Sequence, residues 1–393
     1  MVKNAMKTVP DNKLLRVLVL SGSFVGLFLY FGIFNRFHLS YLEQNQLFRY
    51  NLGYLADFFS RPGGLVTLSG AFLTQFFTIP WAGAAILTLI GILIYFLSRY
   101  IFNKTGMNGV LFSLIPLFLI SALPSNHNYP LSLTLGWVFS LAFLAAHICI
   151  RNDRTRYIFS LVSFVFLYVA AGFFSIITIV LCILYELFNT KDFRKYYFSA
   201  SAIVLSMAVP YVSWKYLFLM PLYQSWLSPV SFSAVAPVRV FFYVTVVYFP
   251  LVMLITFAGK KIIGKPSLNF TWKWKHQLSG TAIYVLCVLV LIKLAYDRNN
   301  ELFLNIDSCY QTSSWDKVLA LSNKYPGNNQ LVMYFTNIAL YQSGNLAEKM
   351  FQYRQSGTSG LWLEWKRNET APFFGGEIFY HLGYNNEAFR WAF

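Results

Sequence analysis

The sequence predicts an all-α protein, a polytopic bundle of about nine transmembrane helices followed by an outer helical-repeat domain. Two observations predict the bundle. First, 57% of the residues are hydrophobic and only 12% are charged. Second, several apolar runs reach the ~20 residues that a helix needs to cross a bilayer. After residue 297 the composition becomes that of a soluble helical domain. We therefore divide the chain into a membrane bundle, residues 1–297, and an incomplete repeat domain, residues 298–393.

The net charge of +16 does not predict a nucleic-acid-binding protein. No basic helix and no alternation of basic with aromatic residues is present, and most Lys and Arg residues lie in short loops between apolar runs. In that position they set the orientation of a protein in the membrane. The four cysteines have neither metal-ligand nor redox spacing, so we expect no metal site and no structural disulfide.

The first apolar run, from Leu14 to about Phe34, predicts a membrane anchor, because it is long and has no small-residue cleavage site after it. A long outer loop, residues 36–79, follows and contains the amphipathic stretch "LVTLSGAFLTQFF". The preceding Pro62-Gly63-Gly64 predicts a turn that leads into this stretch. Further spans are predicted near residues 80–102, 108–123, 130–150, 198–220, 238–257 and 279–296.

Residues 157–188 are too long for one span, because a single helix would extend about 48 Å across a hydrocarbon core of ~30 Å. The small cluster Ala170-Ala171-Gly172 predicts a break into two short helices. With that break and a cytoplasmic N-terminus, 17 of the 31 basic residues lie inside. The positive-inside rule then favours nine spans in a bacterial inner membrane, with an extracytoplasmic C-terminal domain. The two short helices either cross or form a hairpin shielded by protein neighbours.

The C-terminal part contains an internal echo. The stretch "SWDKVLALSNKYPGNNQLVMYFTNIALYQSGNLAEKMFQY" alternates helical apolar spacing with turns, and it resembles a tetratricopeptide helical hairpin. A weaker copy follows 39 residues later, with three coinciding pairs: Tyr341/Tyr380, Gly344/Gly383 and Glu348/Glu387. The resemblance implies that residues 298–393 bind a protein partner.

No strong catalytic signature is present in the sequence. The motifs of nucleotide hydrolases, serine hydrolases, zinc proteases, kinases and dinucleotide enzymes are missing, so the cofactor stays unknown. In the predicted topology, Glu43 and Asp57 are the outward-facing acids of the membrane part, and His127 in "PSNHNYP" is the one histidine near an outward site. Outward acid–base chemistry therefore depends on Glu43 and Asp57.

This layout resembles the GT-C glycosyltransferase superfamily: a cytoplasmic N-terminus, a long first outer loop with acids, a pair of short helices and an outer C-terminal domain. The resemblance implies transfer of a sugar from a polyprenyl phosphate, with a loop carboxylate as the catalytic group. The matching carboxylates are Glu43, in "SYLEQNQLF", and Asp57. The basic residues suited to the lipid phosphate are Arg49, Arg61, Lys215 and Arg239. The chain also resembles an uncharacterised bacterial multispan membrane family through "RPGG…FLTQFF".

Simpler interpretations of these residues stand beside the catalytic one. Asp57 and Arg61 have the i,i+4 spacing of a surface ion pair, worth about 0.2–0.5 kcal/mol on a helix. In the simpler interpretation Glu43 is a solvated loop residue, and Lys215 extends toward the membrane interface from its helix end. The competing function is a non-enzymatic scaffold that presents residues 298–393 to a protein. A transporter is less favoured, because no inverted halves are visible.

Overall fold

The computed structural model describes residues 13–46, 48–108, 110–125, 129–230, 236–263, 268–269, 274–358, 360 and 371–392. The chain divides into two compact units, Met1–Tyr296 and Asp297–Phe393. Both units are helical. The strand pairing in the described part is one parallel pair of two-residue segments, Met107–Asn108 with Leu268–Asn269.

The helices of the first unit are α1 (Lys13–Leu29), α2 (Arg36–Asn45), α3 (Leu52–Phe58), α4 (Gly64–Thr74), α5 (Pro80–Thr105), α6 (Val110–Ser121), α7 (Ser132–Cys149), α8 (Asp153–Ala171), α9 (Phe173–Asn189), α10 (Arg194–Tyr216), α11 (Leu222–Leu227), α12 (Ala236–Ile263) and α13 (Trp274–Ala295). A π-helical turn, Tyr30–Phe34, extends α1, and a 3₁₀ turn, Gln75–Thr78, extends α4.

Six helices in the described residues are long and apolar enough to cross a membrane, so this is a multi-pass membrane protein. They are Leu14–Phe34, Pro80–Thr105, Ser132–Cys149, Asp153–Ala171, Arg194–Tyr216 and Val240–Ile262. A seventh candidate is obtained if Ser279–Ala295 and the next helix, Arg298–Gln311, count as one bent span.

All nine apolar runs predicted as spans are helical, but two of them are shorter than a full crossing. The helix α6 has 12 residues and α9 has 17, whereas a crossing takes ~20. At α6 the reason is local: Gly106 ends α5 with φ +92°, and the paired Met107–Asn108 segment occupies the start of the predicted run. Apolar composition alone does not show these boundaries.

Aromatic side chains fill the centre of the first unit. Trp137 of α7 stacks on Phe249 of α12 at 5.7 Å and meets Phe174 of α9 edge-on at 6.3 Å. All three are fully buried. Gly136 lies so close to Phe174 that a Cβ there would approach the ring to 2.2 Å. The short helix α9 is therefore packed deeply between α7 and α12.

The break between α8 and α9 falls at Gly172, as the sequence predicts. Gly172 has φ +57° and ψ −126°, a conformation that only glycine adopts without strain. The next amide, Phe173 N–H, donates to the carbonyl oxygen of Ser228 at 2.8 Å. A Cβ at Gly172 would lie 2.1 Å from the same oxygen. The break is therefore fixed by the loop that contains Ser228, called the 228 loop below, as well as by the small residues of the sequence.

The second unit consists of paired helices: α14 (Arg298–Gln311), α15 (Trp315–Ser322), α16 (Gln330–Gln342), α17 (Leu346–Lys349), α18 (Ala371–His381) and α19 (Asn385–Ala392). In the described part they form three helical hairpins: α14 with α15, α16 with α17, and α18 with α19.

The three hairpins have the same turn. The second residue after each first helix has a positive φ: Ser313 at +53°, Gly344 at +69° and Gly383 at +79°. The next amide donates in each case to the carbonyl five residues earlier, in the pairs Ser314/Cys309, Asn345/Leu340 and Tyr384/Phe379. Gly344 and Gly383 are the pair that the 39-residue echo aligns. The copy at Ser313, 31 residues earlier, is not visible as an echo because serine stands where the others have glycine.

Candidate functional site

The described part of the first loop is mainly helical and is anchored to the rest of the unit at the turn before α4. The Asn51 side chain caps α3 by accepting the N–H of Gly53 at 2.8 Å. Gly63, with φ +85°, begins α4, so Pro62-Gly63-Gly64 forms the predicted turn. The Gly63 N–H donates to Val169 O at 3.0 Å, and the Ser228 hydroxyl donates to Pro62 O at 2.8 Å. The loop is therefore held beside the α8–α9 break.

An aromatic cluster joins this loop to α4. Phe48 makes edge-to-face contacts with Tyr50, Tyr54 and Phe72, at centroid distances of 5.1, 5.7 and 5.6 Å. Such pairs contribute about 0.5–1.5 kcal/mol each beyond the apolar area that they bury. The Tyr50 hydroxyl also donates to Gln75 Oε1 at 2.8 Å. The "FLTQFF" stretch is thus the surface on which the loop is folded.

The six sequence-predicted site residues are distributed over several elements. Glu43 lies on α2 and is partly buried, Asp57 ends α3 and is exposed, and Arg49 and Arg61 are exposed in the connecting segments. Lys215 is exposed in the last turn of α10. Arg239 lies in α12, but its side chain is outside the described residues, as is His127.

No hydrogen bond or ion pair joins Glu43, Asp57, Arg49, Arg61 and Lys215 to one another in the described part of the chain. The surface pair between Asp57 and Arg61 is not formed, because α3 ends at Phe58 and Arg61 lies beyond the helix. The loop therefore supplies separate charged groups around a surface, and no preassembled catalytic pair.

Glu43 is the carboxylate with an altered environment. Burial raises the pKa of Glu43 above that of a solvated glutamate. Its helix α2 packs against α5 and the Gln75–Thr78 turn. Two amide donors, Nδ2 of the α2 N-cap residue Asn35 and Nε2 of Gln75 in the turn, are buried and have no acceptor within the described residues.

An apolar groove of about 420 Å³ lies between α1, α6 and α13. Gly22 and Gly26 form part of its wall, and a Cβ at either position would meet nothing within 4 Å. The hydroxyls of Ser23 and Tyr284 are paired at 2.9 Å, so the lining there is polar only through satisfied groups. One end of the groove is Tyr30, from which the π-helical turn leads directly into α2. The shape and lining suit a hydrocarbon chain.

A buried charged cluster lies in the bundle away from the first loop. Glu186 of α9 is fully buried, and its carboxylate is bound by side chains of α7 and α8. Arg156 donates from Nε to Glu186 Oε1 at 2.6 Å and from Nη2 to Oε2 at 3.0 Å. Arg156 Nη2 also donates to Asp153 at 2.7 Å.

The remaining positions of the Glu186 carboxylate are occupied as well. The hydroxyls of Thr190 and Tyr157 donate to Oε2 at 2.6 and 3.1 Å. His147 Nε2 lies 2.9 Å from Oε1 and must donate, because a carboxylate only accepts. The other ring nitrogen, Nδ1, lies 2.5 Å from Ser160 Oγ. A carboxylate that accepts this many bonds has no free position for a substrate, so the cluster fastens α7, α8 and α9 together.

The sequence analysis missed this cluster, although one signal pointed to it. Glu186 is an acid within an apolar run, and an intramembrane acid requires a buried partner. The identity of that partner depends on the register between helices, which the sequence does not give. No group of three or more His, Cys, Asp or Glu side chains that could hold a metal ion is found in the described residues.

Comparison with known proteins identifies a family but no relative of established activity. A family model matches residues 12–393, and its description is a family of unknown function, DUF6057. Comparisons with the curated proteins and with the solved structures give no match.

Proposed function

This chain belongs to the family of unknown function DUF6057, and we propose that it is a GT-C-like glycosyltransferase. In this proposal it transfers a sugar from a polyprenyl phosphate at the outer face of the bacterial inner membrane. The continuity of the apolar groove with the helix that carries Glu43 is the observation that supports the proposal most. A lipid-linked donor needs a surface for the hydrocarbon chain, and the polar reaction must occur at the end of that surface.

The geometry supports this arrangement in two ways. Tyr30 at the groove end is followed along the chain by the π-helical turn and then by α2, the helix that carries Glu43. The raised pKa of Glu43 also brings this carboxylate closer to the pH at which a general base is effective. Asp57, on the exposed surface of the same loop, is the second candidate base.

The proposed transfer follows ordinary glycosyl chemistry. An acceptor hydroxyl gives its proton to Glu43 or Asp57 while its oxygen forms a bond to the anomeric carbon. The bond between that carbon and the phosphate oxygen breaks, and the negative charge stays on the lipid phosphate. Arg49 and Arg61 in the loop, with Lys215 and Arg239 at helix ends, are the cations assigned to that phosphate.

The proposed topology has nine spans, with the N-terminus inside and the second unit outside. Loop contacts support it because each one joins segments that the positive-inside rule puts on one side. On the outer side, Pro62 meets Ser228, and Tyr30 OH lies 2.9 Å from Ser125 Oγ. On the inner side, Met107–Asn108 pairs with Leu268–Asn269.

The transferase proposal is tested in nanodiscs with a polyprenyl-phosphate sugar and a panel of acceptors. Glu43→Gln is expected to lower the rate of sugar transfer by 10²-fold or more while donor lipid still binds, because only the base is lost. Gly26→Leu, whose Cβ would meet nothing within 4 Å, places a bulky side chain in the groove and is expected to weaken lipid binding. The matched control is Glu348→Gln, an exposed glutamate in the second unit.

Donor lipid that binds equally well to the Gly26→Leu variant would show that the groove is not its site. Wild-type rates in both Glu43→Gln and Asp57→Asn would exclude catalysis by this loop. Either result would favour the second candidate function, a membrane-held scaffold.

The scaffold alternative rests on the second unit, which we propose to be a tetratricopeptide-like repeat domain that binds a protein. Large aromatic side chains are exposed on its hairpins, among them Tyr341 and Tyr380, which are 64% and 66% exposed. These tyrosines occupy the same position before the shared turn. If the scaffold is correct, Tyr341→Ala with Tyr380→Ala abolishes the phenotype that deletion of the protein produces, whereas Glu43→Gln does not.

A further inference from the structure

The second unit contains a small polar cavity that neither the loop chemistry nor the exposed tyrosines explain. Its volume is about 160 Å³, and it lies between the end of α15, the loop of residues 323–329, the helix α16 and the segment 352–354. A cavity of about 150 Å³ holds one benzene-sized ring. The cavity therefore has the size of a single six-membered ring.

Two sets of hydrogen bonds fix the walls of this cavity. Asn337 and Gln355 bind each other through both amide groups, at 3.0 and 2.9 Å, which attaches the segment to α16. Arg354 Nη1 donates to Pro326 O at 2.8 Å and Gly327 O at 3.3 Å, which attaches it to the loop. The cavity is thus formed before any ligand arrives, and little conformational entropy is lost on binding.

Several polar groups of the lining are not used within the protein. The side chains of Asn323, Tyr325, Gln352 and Tyr353 make no hydrogen bond to the rest of the described chain. Asn329 accepts the Leu331 N–H through Oδ1 at 2.9 Å, which leaves its amide N–H₂ available. Amides and hydroxyls both donate and accept, as do the neighbouring hydroxyls of a sugar.

The other lining groups further restrict the chemical class of the ligand. Val332 and Met333 provide an apolar surface of α16, suited to the C–H face of a ring, and no carboxylate is among the described residues that line the cavity. Among the described lining residues the charged group is Arg354, and its Nη1 is bound to the backbone carbonyls of the loop.

From this combination of ring-sized volume, free amides and hydroxyls, an apolar wall and two tyrosines, we propose that the cavity binds one pyranose ring of a glycan. The proposal goes beyond the transferase proposal and does not depend on it, because binding is measured without turnover. A single sugar has few atoms, so its Kd is on the order of millimolar.

The test is binding of N-acetylglucosamine, glucose and galactose to the full-length protein in nanodiscs, measured by saturation-transfer NMR. Tyr353→Ala and Asn323→Ala are expected to raise the Kd by tenfold or more, and Tyr353→Phe by a smaller factor. Tyr384→Ala removes an exposed tyrosine outside the cavity and should leave the Kd unchanged. Circular dichroism shows whether each variant is folded.

Two results would overturn the proposal. One is that none of the three sugars binds at tens of millimolar, or that binding is equal in the wild-type and Tyr353→Ala proteins. The other is that inorganic phosphate binds with dependence on Arg354 while the sugars do not, which would make the cavity an anion site. Loss of sugar transfer with intact sugar binding would count against the transferase proposal alone.

Discussion

Glu186 shows how the burial of one charged residue in an apolar bundle costs free energy and how its hydrogen bonds offset that cost. An isolated buried carboxylate is strongly disfavoured, so it persists only with partners that satisfy both of its oxygens. His147 of α7, Arg156 and Tyr157 of α8, and Thr190 just after α9 supply those partners. Each partner loses its acceptor if Glu186 is removed. Removing Glu186 therefore costs more free energy than the intact cluster contributes to stability.

Glu186→Ala should therefore lower the free energy of unfolding by about 3–5 kcal/mol, since Arg156 would keep only the partly exposed Asp153 as an ionic partner. The measurement is the midpoint of thermal unfolding of the purified protein in a mild detergent. Asp192→Asn is the control: its pair with Arg194, at 3.7 Å, is exposed and worth at most about 1 kcal/mol. Equal midpoints for the two variants would show that the cluster does not hold α7, α8 and α9 together.

Asp307 gives the second unit a pH-dependent stability. Burial, followed by the nearby Glu377 carboxylate, raises the pKa of Asp307 to about 7, against ~3.9 in an unfolded chain. Burial also raises the pKa of Glu377, and His381 lies 4.0 Å from it. A folded-state pKa above the unfolded value means that the contribution to stability is full below pH ~3.9. It is lost as the pH rises through about 7.

Between pH 5 and pH 8 we expect hydrogen exchange in α14 and α16 of the full-length protein to become faster than the intrinsic pH effect explains. Asp307→Asn, which mimics the protonated acid, should abolish this extra change. At pH 8 it should also slow exchange, by a factor that corresponds to an increase on the order of a few kcal/mol in the free energy of opening. The exposed Asp316→Asn serves as control. An unchanged pH profile in Asp307→Asn would contradict the assignment.

At the scale of elements, glycine conformation decides where helices end. Three glycines can be compared, because they differ in whether backbone strain or a steric clash would oppose a side chain. Gly172 has both a positive φ and a close carbonyl, Gly344 has only a positive φ, and Gly22 has neither.

Alanine substitutions at these positions should rank accordingly. Gly172→Ala is expected to destabilise by more than the ~1–3 kcal/mol of backbone strain alone, because Ser228 must also move. Gly344→Ala should cost ~1–2 kcal/mol, and Gly22→Ala should cost little. Thermal midpoints in the same detergent give the ranking, and a Gly172→Ala protein as stable as Gly22→Ala would mean that the break is not held by Ser228.

At the scale of the whole molecule, the sequence predicted the positions of the helices better than their depth or contacts. Apolar runs and the Ala170-Ala171-Gly172 cluster located the helices of the bundle, because burial in lipid and backbone freedom are local properties. The Glu186 cluster and the groove between α1, α6 and α13 depend on which helix faces meet. The echo does not predict the turn of the first hairpin, because Ser313 adopts a conformation usually given to glycine.

The nine-span topology predicts which positions a membrane-impermeant thiol reagent reaches. In a background without the native cysteines, single cysteines near residues 45, 127, 228 and 310 should be labelled from outside. Cysteines near residues 104, 153, 193 and 268 should react only after the membrane is opened. Labelling at 193 in intact cells would mean that α8 and α9 do not bring the chain back to the inner side.

The contact between the first loop and the 228 loop also sets an order of assembly. The Ser228 hydroxyl that binds Pro62 O follows it by 166 residues. At about 5–20 residues per second, a ribosome needs roughly 8–33 s to make the intervening chain. The loop nearest the N-terminus therefore reaches its final position only after α11 has been synthesised. During that interval the nascent protein presents an unfinished surface at the proposed site, although this loop is made early.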